Sequence, residues 1–495
     1  MSSIQPAEPS ADSTETAVSD TPLFVDLDGT LIASDVTYES VLGGIKRKPG
    51  LLPRLPWLLV RGRAALKREL AHEVGADVRL LPYRHEVLHF LREQRWAGRR
   101  VILATASDRR FADAVAKQVG LFDDVLASDG QINLKGPNKL AAIQAYCREH
   151  GYAHFAYAGD ALADMPIWKE AAEVHVVAPG PLVRAATRSL DKPVHVHASR
   201  QRIAAAAFRA MRPQQWIKNV LLFVPLLLSH QWDNLEKVIA CCIAFVAFSA
   251  CASAVYVLND LMDIESDRHH PTKRNRPFAA GAFPIHYGLP LSLGLLAFSV
   301  ALSLAWLPAV FVGYLGLYAL VNCLYSFWLK QKLVLDVFLL AGMYALRVVV
   351  GGVAAEIWPS EWLLAFSIFL FTSLAFAKRH SELARLAEGE ADAAPGRGYV
   401  VGDLSMIESV GPTSGYLAVL VLALYINSQD ALRHYTQPGA LWLVCPLLLY
   451  WITRLWFAVK RGELNEDPLV YAVRDRVSIL VGVCVVALAI IATKF

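Results

Sequence analysis

Nine long apolar stretches lie beyond about residue 201 of this 495-residue chain and limit the folds that it can adopt. Several of them are long enough to cross about 30 Å of hydrocarbon as helices. Apolar residues make up 55% of the chain and charged residues only 19%, which excludes a uniformly soluble protein. The sequence therefore predicts an all-α membrane bundle of about nine transmembrane helices, near residues 217–229, 236–258, 286–308, 309–328, 334–354, 361–377, 413–427, 439–458 and 477–493.

The Lys and Arg residues between these stretches are concentrated in alternate connections, near 268–276, 330–332, 378–385 and 460–476. Because basic loops stay in the cytoplasm, we expect these connections and the N-terminal part to face the cytoplasm. The C-terminus then lies outside, which requires an odd number of spans. The sequence thus predicts a multi-pass protein of the inner (cytoplasmic) membrane.

A different pattern precedes the apolar stretches, and it predicts three regions. Residues 1–21 are rich in Ser, Thr and acid and are expected to be a disordered tail. Residues 22–197 alternate short apolar runs with helical stretches, which predicts a Rossmann-like α/β domain with a parallel sheet and a helical cap at about 35–84. Residues 198–495 would form the membrane domain.

Composition excludes two further classes of site. The net charge of +4 is too small to indicate nucleic-acid binding, so no nucleic-acid partner is expected. The seven cysteines show no CxxC spacing, and six lie in apolar runs, which predicts neither a disulfide framework nor a zinc site.

Four separated pieces of the α/β part carry groups suited to phosphate chemistry. Asp26 and Asp28 follow the first apolar run, so one carboxylate can attack phosphorus while the other acts as acid and base. Strand ends of an open parallel sheet meet at one crevice, where groups distant in sequence can converge. The other groups are the hydroxyl of Thr105, with Ser107 as a possible substitute, the ammonium of Lys139, and the carboxylates of Asp160 and Asp164, which suit magnesium.

Over about residues 22–190 this constellation resembles the haloacid dehalogenase superfamily, whose pattern is DxDGT, then Thr or Ser, then Lys, then GDxxxD. The resemblance implies that Asp26 is the nucleophile and Asp28 the acid and base of a phosphatase. It implies phosphate binding by Thr105 and Lys139. It also implies Mg2+ as the cofactor, with Asp26, Asp28, Asp160 and Asp164 as its metal site. A degenerate domain kept as a scaffold is the alternative.

An acidic stretch follows the second apolar stretch. Asp260, Asp263 and Asp267 fall at i, i+3 and i+7, which predicts three carboxylates on one helical face. Lys273 and Arg276 follow shortly afterwards. This arrangement suits magnesium with a pyrophosphate, the acids holding metal and the cations contacting phosphate. An ordinary acidic and basic loop is the alternative, although it does not explain the alignment.

Other polar residues lie at the edge of the apolar stretches or within them. Tyr325, Lys330 and Asp336 bracket a predicted cytoplasmic turn. Arg347 lies deep in an apolar stretch, where an isolated charge is costly, so we expect it to have an anionic partner. Lys378 and Asp467 lie in two further predicted cytoplasmic loops, and anchoring at the membrane surface is the better explanation for about half of all these residues.

Over about residues 204–495 the chain resembles the UbiA superfamily of intramembrane transferases, which share the NDxxDxxxD pattern seen at 259–267. Three more selective pieces, at 212–219, 270–273 and 325–330, resemble its decaprenyl-phosphate phosphoribosyltransferase branch. The second acidic cluster typical of aromatic prenyltransferases, DxxxD, is not evident, since only Asp336 stands in that region.

That resemblance implies transfer of 5-phosphoribose from phosphoribosyl pyrophosphate to a polyprenyl (decaprenyl) phosphate, for cell-wall arabinan precursors. The N-terminal domain would then dephosphorylate the lipid-linked product. Asp260 and Asp263 would be catalytic and hold Mg2+, with Asp267 in support. The implied substrate-binding residues are Lys218, Asn259, Lys273, Arg276, Tyr325, Lys330 and Arg347.

Two alternatives remain open at this point. One is a UbiA-type prenyltransferase that attaches a chain from a polyprenyl diphosphate to an aromatic acceptor. The other is a non-catalytic lipid-binding or scaffold protein. The sequence leaves open the lipid chain length, the division of the basic residues between donor and acceptor, and association as a homo-oligomer.

Overall fold

The computed structural model describes residues 21–47, 50, 54, 77–129, 132–197, 203–388, 398–464 and 467–494. The chain divides into two compact units, Met1–Ala210 with Asp260–Pro290, and Met211–Asn259 with Leu291–Phe495. The predicted tail lies outside the described residues except for Thr21, and so does most of the predicted cap, including residues 55–76.

The first unit contains a six-stranded parallel sheet, which confirms the predicted α/β fold class. Its strand order is β3-β2-β1-β4-β5-β6, with β1 in the interior between β2 and β4. The strands are β1 Leu23–Val25, β2 Val101–Asp108, β3 Asp124–Ser128, β4 Ala156–Gly159, β5 Glu173–Val177 and β6 Val194–His197.

Both faces of this sheet are buried, which explains the uninterrupted apolar runs of its strands. Side chains alternate between two hydrophobic clusters: Leu23 and Val25 belong to one, and Phe24 to the other. In β2, Leu103 belongs to the same cluster as Leu23, and Ile102 belongs to the same cluster as Phe24. Because a hydrophobic cluster packs on each face of the central strands, the residues that follow these strands have well-defined positions.

The helices alternate with strands in the first unit and make up all of the regular structure described for the second. In chain order they are α1 Val36–Arg47, α2 His85–Trp96, α3 Arg109–Val119, α4 Pro137–Glu149, α5 Met165–Glu170, α6 Pro181–Thr187, α7 Ile203–Ala210, α8 Val224–Leu228, α9 Leu235–Met262, α10 Ile264–His269, α11 Gly288–Trp306, α12 Ala309–Phe327, α13 Leu335–Ala354, α14 Glu361–Glu388, α15 Leu404–Ile426, α16 Gln429–His434, α17 Val444–Lys460, α18 Pro468–Arg474 and α19 Arg476–Lys494.

Eight helices of the described residues are long and apolar enough to cross a membrane, where the sequence predicted about nine. The missing one is the first predicted stretch, 217–229. There the chain forms a 3-10 helix, Pro213–Phe223, followed by the short α8. Pro213 and Pro225 each lack a backbone N–H donor, and Lys218 and Asn219 are buried polar residues, so this stretch is not a regular apolar helix.

This irregular segment packs very closely against α13. A Cβ atom on Gly351 would lie 1.9 Å from the carbonyl oxygen of Leu222. Only a residue without a side chain permits this approach of two backbones. The glycine thereby places Lys218 and Asn219 beside the polar residues of α13.

Candidate active sites

The carboxylate of Asp26 lies directly after β1 and is paired with a buried lysine. Its Oδ2 is 2.9 Å from the Nζ of Lys139, which lies in the first turn of α4. Lys139 also donates a hydrogen bond to the hydroxyl of Tyr157, and Tyr157 donates to Asp164. Burial alone would lower the pKa of Lys139, but the carboxylates of Asp26 and Asp164 outweigh burial and raise it. The lysine therefore remains a cation beside the predicted nucleophile.

Three carboxylates converge at the ends of β1 and β4. Asp26, Asp160 and Asp164 each offer an oxygen, and these three oxygens lie within 4.8 Å of one another. Burial, followed by repulsion from Asp164 and Asp26, raises the pKa of Asp160 well above its usual range. A divalent cation would relieve this repulsion, and hard oxygen donors fit Mg2+. Among the described residues, no other group of three potential ligands is this close.

Asp28 has a different environment from these three acids. Its Oδ1 accepts a hydrogen bond from the backbone N–H of Val36 at 2.9 Å, and its Oδ2 accepts one from the Ser107 hydroxyl at 2.8 Å. Burial and the charge of Asp35 raise its pKa to about 7. A carboxyl group with this pKa can both donate and accept a proton near neutral pH. Its carboxylate is not one of the three converging metal ligands, so its part in metal binding stays a prediction.

Gly29 is required by the geometry of this site. Its φ is +77°, and a Cβ atom built on it would lie 2.1 Å from Oδ2 of Asp160. The backbone turn after Asp28 therefore needs a glycine both for its conformation and for space.

The structure gives Thr105 and Ser107 distinct contacts. Thr105 is fully buried, and its hydroxyl accepts the Ser107 backbone N–H at 3.0 Å. Since the Ser107 hydroxyl binds Asp28, Ser107 does not simply replace Thr105. Phosphate binding by Thr105 stays a prediction.

Sequence reasoning missed two residues of this site. Tyr157 links Lys139 to Asp164, but it lies in an apolar run and was read as strand core. Arg84 donates to the carbonyl of Gly29 at 3.1 Å, and no motif marked it.

A second acidic site in the first unit begins at the end of α9. The prediction of three acids on one uninterrupted helical face was wrong, because α9 ends at Met262 and α10 begins at Ile264. Asp263 lies at the interruption, with a φ of −104°. We call the stretch from Asp260 to Asp267 the acidic segment.

Two acids of the acidic segment share one cation. Nη1 of Arg276 lies 3.2 Å from Asp260 and 2.7 Å from Asp267, and both carboxylates are buried. The guanidinium of Arg276 thus already neutralises these carboxylates, and metal binding by Asp260, Asp263 and Asp267 stays a prediction. The neighbouring Asn259 has a buried Oδ1 without a hydrogen-bond partner among the described residues. Lys273 is exposed on the short 3-10 helix that follows α10.

A buried cluster of cations lies in the second unit. Asp467, at the N-terminus of α18, is 2.6 Å from Lys218 and 3.3 Å from Lys378. The hydroxyl of Tyr344 donates to the same carboxylate at 3.0 Å. Burial alone would raise the pKa of Asp467, but Lys218 and Lys378 outweigh burial and lower it. Asp467 therefore stays ionised.

Arg347 joins this cluster through Tyr344. Its guanidinium lies 5.6 Å from the centre of the Tyr344 ring, and Nζ of Lys218 lies 5.5 Å from it. The structure gives Arg347 no carboxylate partner among the described residues, so the anionic partner expected for it stays a prediction. Its hydrogen bonds within the described residues go to the neutral groups of Asn219, Met343 and Tyr318. We call Lys218, Lys378 and Arg347, with Asp467 and Tyr344, the cationic cluster.

The cationic cluster carries a surplus of two positive charges, since its three cations have one carboxylate among them. Lys218 and Arg347 are buried and the Lys378 side chain is 29% exposed, and a largely desolvated surplus of this kind attracts an anion. The sequence had identified Lys218 and Arg347 as phosphate binders. It did not pair Lys378 with Asp467, because their contact depends on tertiary packing.

Tyr325 and Asp336 meet in another buried network of the second unit. Nε of Arg379 is 2.6 Å from Asp336, and Nη2 donates to the Tyr325 hydroxyl at 2.7 Å. Tyr399 donates to the other oxygen of Asp336 at 2.9 Å. Lys330 lies nearby in sequence, on the short 3-10 helix Leu329–Gln331. Substrate binding by Tyr325 and Lys330 stays a prediction.

Family models match both halves of the chain. The model of the UbiA prenyltransferase family matches residues 220–474, and that of haloacid dehalogenase-like hydrolases matches residues 23–169.

Individual relatives agree with this division. The chain is 35% identical over 476 residues to the uncharacterized protein y4nM of Sinorhizobium fredii, covering 96% of this chain and 90% of that one. It is 32% identical over 282 residues to the decaprenyl-phosphate phosphoribosyltransferase of Mycolicibacterium smegmatis, covering 56% of this chain and 88% of that one. A solved structure of a UbiA homolog from Archaeoglobus fulgidus, bound to GPP and Mg2+, shares 13% identity with a TM-score of 0.44, covering 59% of this chain and all of that one.

The match of the UbiA model extends over more than half of the chain, and the long apolar helices of the second unit lie largely within it. The protein therefore belongs to the UbiA prenyltransferase family of integral membrane enzymes and carries an N-terminal haloacid dehalogenase-like domain.

Proposed function

We propose that this protein transfers 5-phosphoribose from phosphoribosyl pyrophosphate to a polyprenyl phosphate. Its N-terminal domain then removes the 5-phosphate from the lipid-linked product. The observation that carries the proposal is that Lys218, Lys378 and Arg347 have one carboxylate, Asp467, among them in the cationic cluster, which suits a substrate with a phosphomonoester group. The similarity to a decaprenyl-phosphate phosphoribosyltransferase supports the same reaction.

The acidic segment is suited to the diphosphate of the donor. Asp260 and Asp267, with Asp263 beside them, would hold Mg2+, which neutralises the charge that develops on the leaving diphosphate. Arg276 would move from its two carboxylates onto a phosphate oxygen, keeping a cation at the same place. Asn259, whose Oδ1 has no hydrogen-bond partner among the described residues, and the exposed Lys273 would orient the donor.

Transfer to the lipid needs no protein base. An oxygen of the polyprenyl phosphate is already anionic, and it attacks the anomeric carbon as the bond to diphosphate breaks. The protein contributes position and charge neutralisation. Lys218, Lys378 and Arg347 supply that neutralisation for a phosphate group of the substrates, while Asp467 keeps the two lysines in place before the substrate binds.

The contacts around Asp26 support the phosphatase step. Asp26 attacks the phosphorus of the 5-phosphate, and the bond from phosphorus to the ribose oxygen breaks. Asp28 donates its proton to that oxygen and then takes a proton from the water that hydrolyses the aspartyl phosphate. Inorganic phosphate is released, and Lys139 offsets the negative charge at phosphorus throughout. Mg2+ held by Asp26, Asp160 and Asp164 would supply further charge neutralisation.

The rival reaction, prenyl transfer from a polyprenyl diphosphate, fits the polar residues less well. Asp336 is the one acid at the place of the second acidic cluster of aromatic prenyltransferases, and Arg379 already neutralises it. The pairing leaves Asp336 poorly suited to bind a second metal ion.

The test uses the full-length protein in lipid nanodiscs with polyprenyl phosphate, Mg2+ and donor labelled with 32P on its 5-phosphate. We expect labelled inorganic phosphate from the wild type, labelled lipid from Asp26→Asn, and neither from Asp260→Asn. Asp113→Asn, at an exposed position of α3, is the matched control. Failure of Asp26→Asn to accumulate labelled lipid would contradict the proposal, and so would product formation from a polyprenyl diphosphate and an aromatic acceptor instead.

We also propose that the protein lies in the inner (cytoplasmic) membrane with the N-terminal domain in the cytoplasm and the C-terminus outside. This orientation requires the irregular segment from Pro213 to Leu228 to cross together with the eight long helices. A reporter fused after the last residue, active only outside the cytoplasm, is expected to be active. Four long helices follow the 356–361 connection, so a second reporter placed there is expected to be active as well. Inactive reporters at both positions would support eight spans instead.

A further inference from the structure

Within the first unit, α1 of the α/β part lies along the acidic segment and binds it through three ion pairs. Nζ of Lys46 is 2.5 Å from Oδ1 of Asp263. Arg47 donates to both oxygens of Glu265 at 2.7 Å. Arg268 donates to both oxygens of Glu39 at 2.8 and 2.6 Å. Lys46 and Arg47 of α1 therefore pair with acids of the acidic segment. Glu39 of α1 pairs with Arg268, which directly follows that segment.

These pairs differ in burial, which gives them different roles. The Glu39 and Arg268 side chains are only 10% and 8% exposed, so their two-fold contact is a fixed anchor. The Lys46 side chain is 39% exposed, and an exposed pair of this kind contributes little to stability. Asp263 can therefore exchange Lys46 for another cation while the anchor holds α1 in place.

The other end of α1 contacts the phosphatase residues. The backbone N–H of Val36, its first residue, binds the carboxylate of Asp28 at 2.9 Å. Glu39 accepts a hydrogen bond from Ser34, whose carbonyl accepts the N–H of Gly29. One short helix thus touches the acid and base of the phosphatase site at its start and an acid of the acidic segment at its end.

The cations of the acidic segment come from two different places in the chain. Asp260 and Asp267 share Arg276, which follows them by a few residues. Asp263 takes its cation from α1, more than two hundred residues earlier. Cation binding at Asp263 is therefore the point at which the α/β part can act on the acidic segment.

We infer that Lys46 is an exchangeable counter-cation through which the phosphatase domain weakens divalent metal binding by the transferase's acidic segment. This inference rests on the proposed role of that segment in holding Mg2+. The ammonium occupies Asp263 until the metal arrives with the donor diphosphate, and metal binding breaks one of the two ion pairs that hold the C-terminal end of α1.

The test measures binding of Mn2+, as a paramagnetic probe for Mg2+, by the electron paramagnetic resonance signal of the free ion. The full chain carries Asp160→Asn throughout, which removes the phosphatase metal site. Lys46→Met is expected to lower the Kd for Mn2+ about 3-fold, the size of effect typical of an exposed ion pair. Lys46→Arg and Lys117→Met, the latter on the exposed face of α3, are expected to leave it unchanged.

A second readout follows α1 itself. Saturating Mn2+ is expected to increase hydrogen exchange at residues 43–47 in the Asp160→Asn protein, with no change at 36–39, where the buried anchor lies. An unchanged Kd in Lys46→Met, with Mn2+ still bound, would overturn this inference alone. Absence of Mn2+ binding in the Asp160→Asn background would overturn the metal role of the acidic segment and this inference with it.

Discussion

Lys218 and Asp467 lie 249 positions apart in sequence and form a buried ion pair of 2.6 Å in the second unit. Lys378 and Tyr344 bind the same carboxylate. Asp467 therefore holds two lysines, Lys218 and Lys378, that lie far apart in the sequence. Substitution of Lys218 therefore tests directly whether the cationic cluster binds substrate.

Replacing Lys218 by methionine keeps the length of the side chain and removes its charge. We expect the rate of ribosyl transfer to fall about 10- to 100-fold, since a hydrogen bond to a charged group contributes about 1.5–3 kcal/mol. Initial rates with labelled donor measure the effect. Lys460→Met, which breaks an exposed pair with Glu408, serves as the control. Equal rates in both variants would remove Lys218 from the substrate site.

Glycine is required at one position of α13 and not at another. We expect Gly351→Ala to lower the free energy of unfolding by about 1–3 kcal/mol, because the new Cβ would overlap the backbone of Leu222. Gly342→Ala, on the same helix with nothing within 4 Å of its Cβ, should leave stability unchanged or raise it by about 0.5–1 kcal/mol. Thermal unfolding in detergent compares the two variants, and the same loss in both would contradict the role of Gly351.

The ion pair of Asp336 with Arg379 is buried, so breaking it from one side leaves an uncompensated charge. We expect Arg379→Met to cost about 3–5 kcal/mol. The double variant with Asp336→Asn should recover part of this loss, since it removes the more deeply buried of the two carboxylates that Arg379 binds, the other being Glu382. Unfolding of the two single variants and the double variant gives the coupling between the residues. Additive losses would show that the pair is not coupled.

A cluster of histidines makes the stability of the sheet edge depend on pH. Burial, with the neighbouring His197 and His195, lowers the pKa of His175 to about 3, so the folded domain keeps this ring neutral. The unfolded chain takes up a proton near pH 6.5. The contribution of His175 is therefore fully present above that pH and is lost as the pH falls toward 3, by at most about 1.4 kcal/mol per pH unit.

Hydrogen exchange of β5 and β6, corrected for its intrinsic pH dependence, measures this effect between pH 7.5 and 5.5. We expect His175→Gln to reduce the change in protection, while His89→Gln, at an exposed position of α2, should not. The same change in protection in wild type and His175→Gln would exclude His175 as its source.

The phosphatase residues could be predicted because strand order brings them together. Asp26 and Asp160 each follow a strand, and β1 and β4 are neighbours in a parallel sheet, so a local motif after each strand is enough to place both. Tyr157 could not be found in this way. Its ring belongs to the core, and only its hydroxyl reaches Lys139.

The membrane part could be predicted in outline but not in its contacts. Apolar length identified eight helices. The interruption at Asp263 was missed, because an i, i+3, i+7 spacing assumes a continuous helix. Arg347 was recognised as exceptional, yet its neutral partners depend on how the segment before α8 packs on α13.

The partner of Asp336 also limits how this enzyme could be redesigned. A protein engineer who wished to install a second divalent ion at that place would have to remove Arg379 before adding any further acid. Tyr325 would lose the guanidinium from which its hydroxyl accepts a hydrogen bond, while Tyr399 would keep its bond to Asp336. A binding site for a second metal ion at Asp336 would therefore require several substitutions made together. A variant with only some of them would contain a buried charge without a partner.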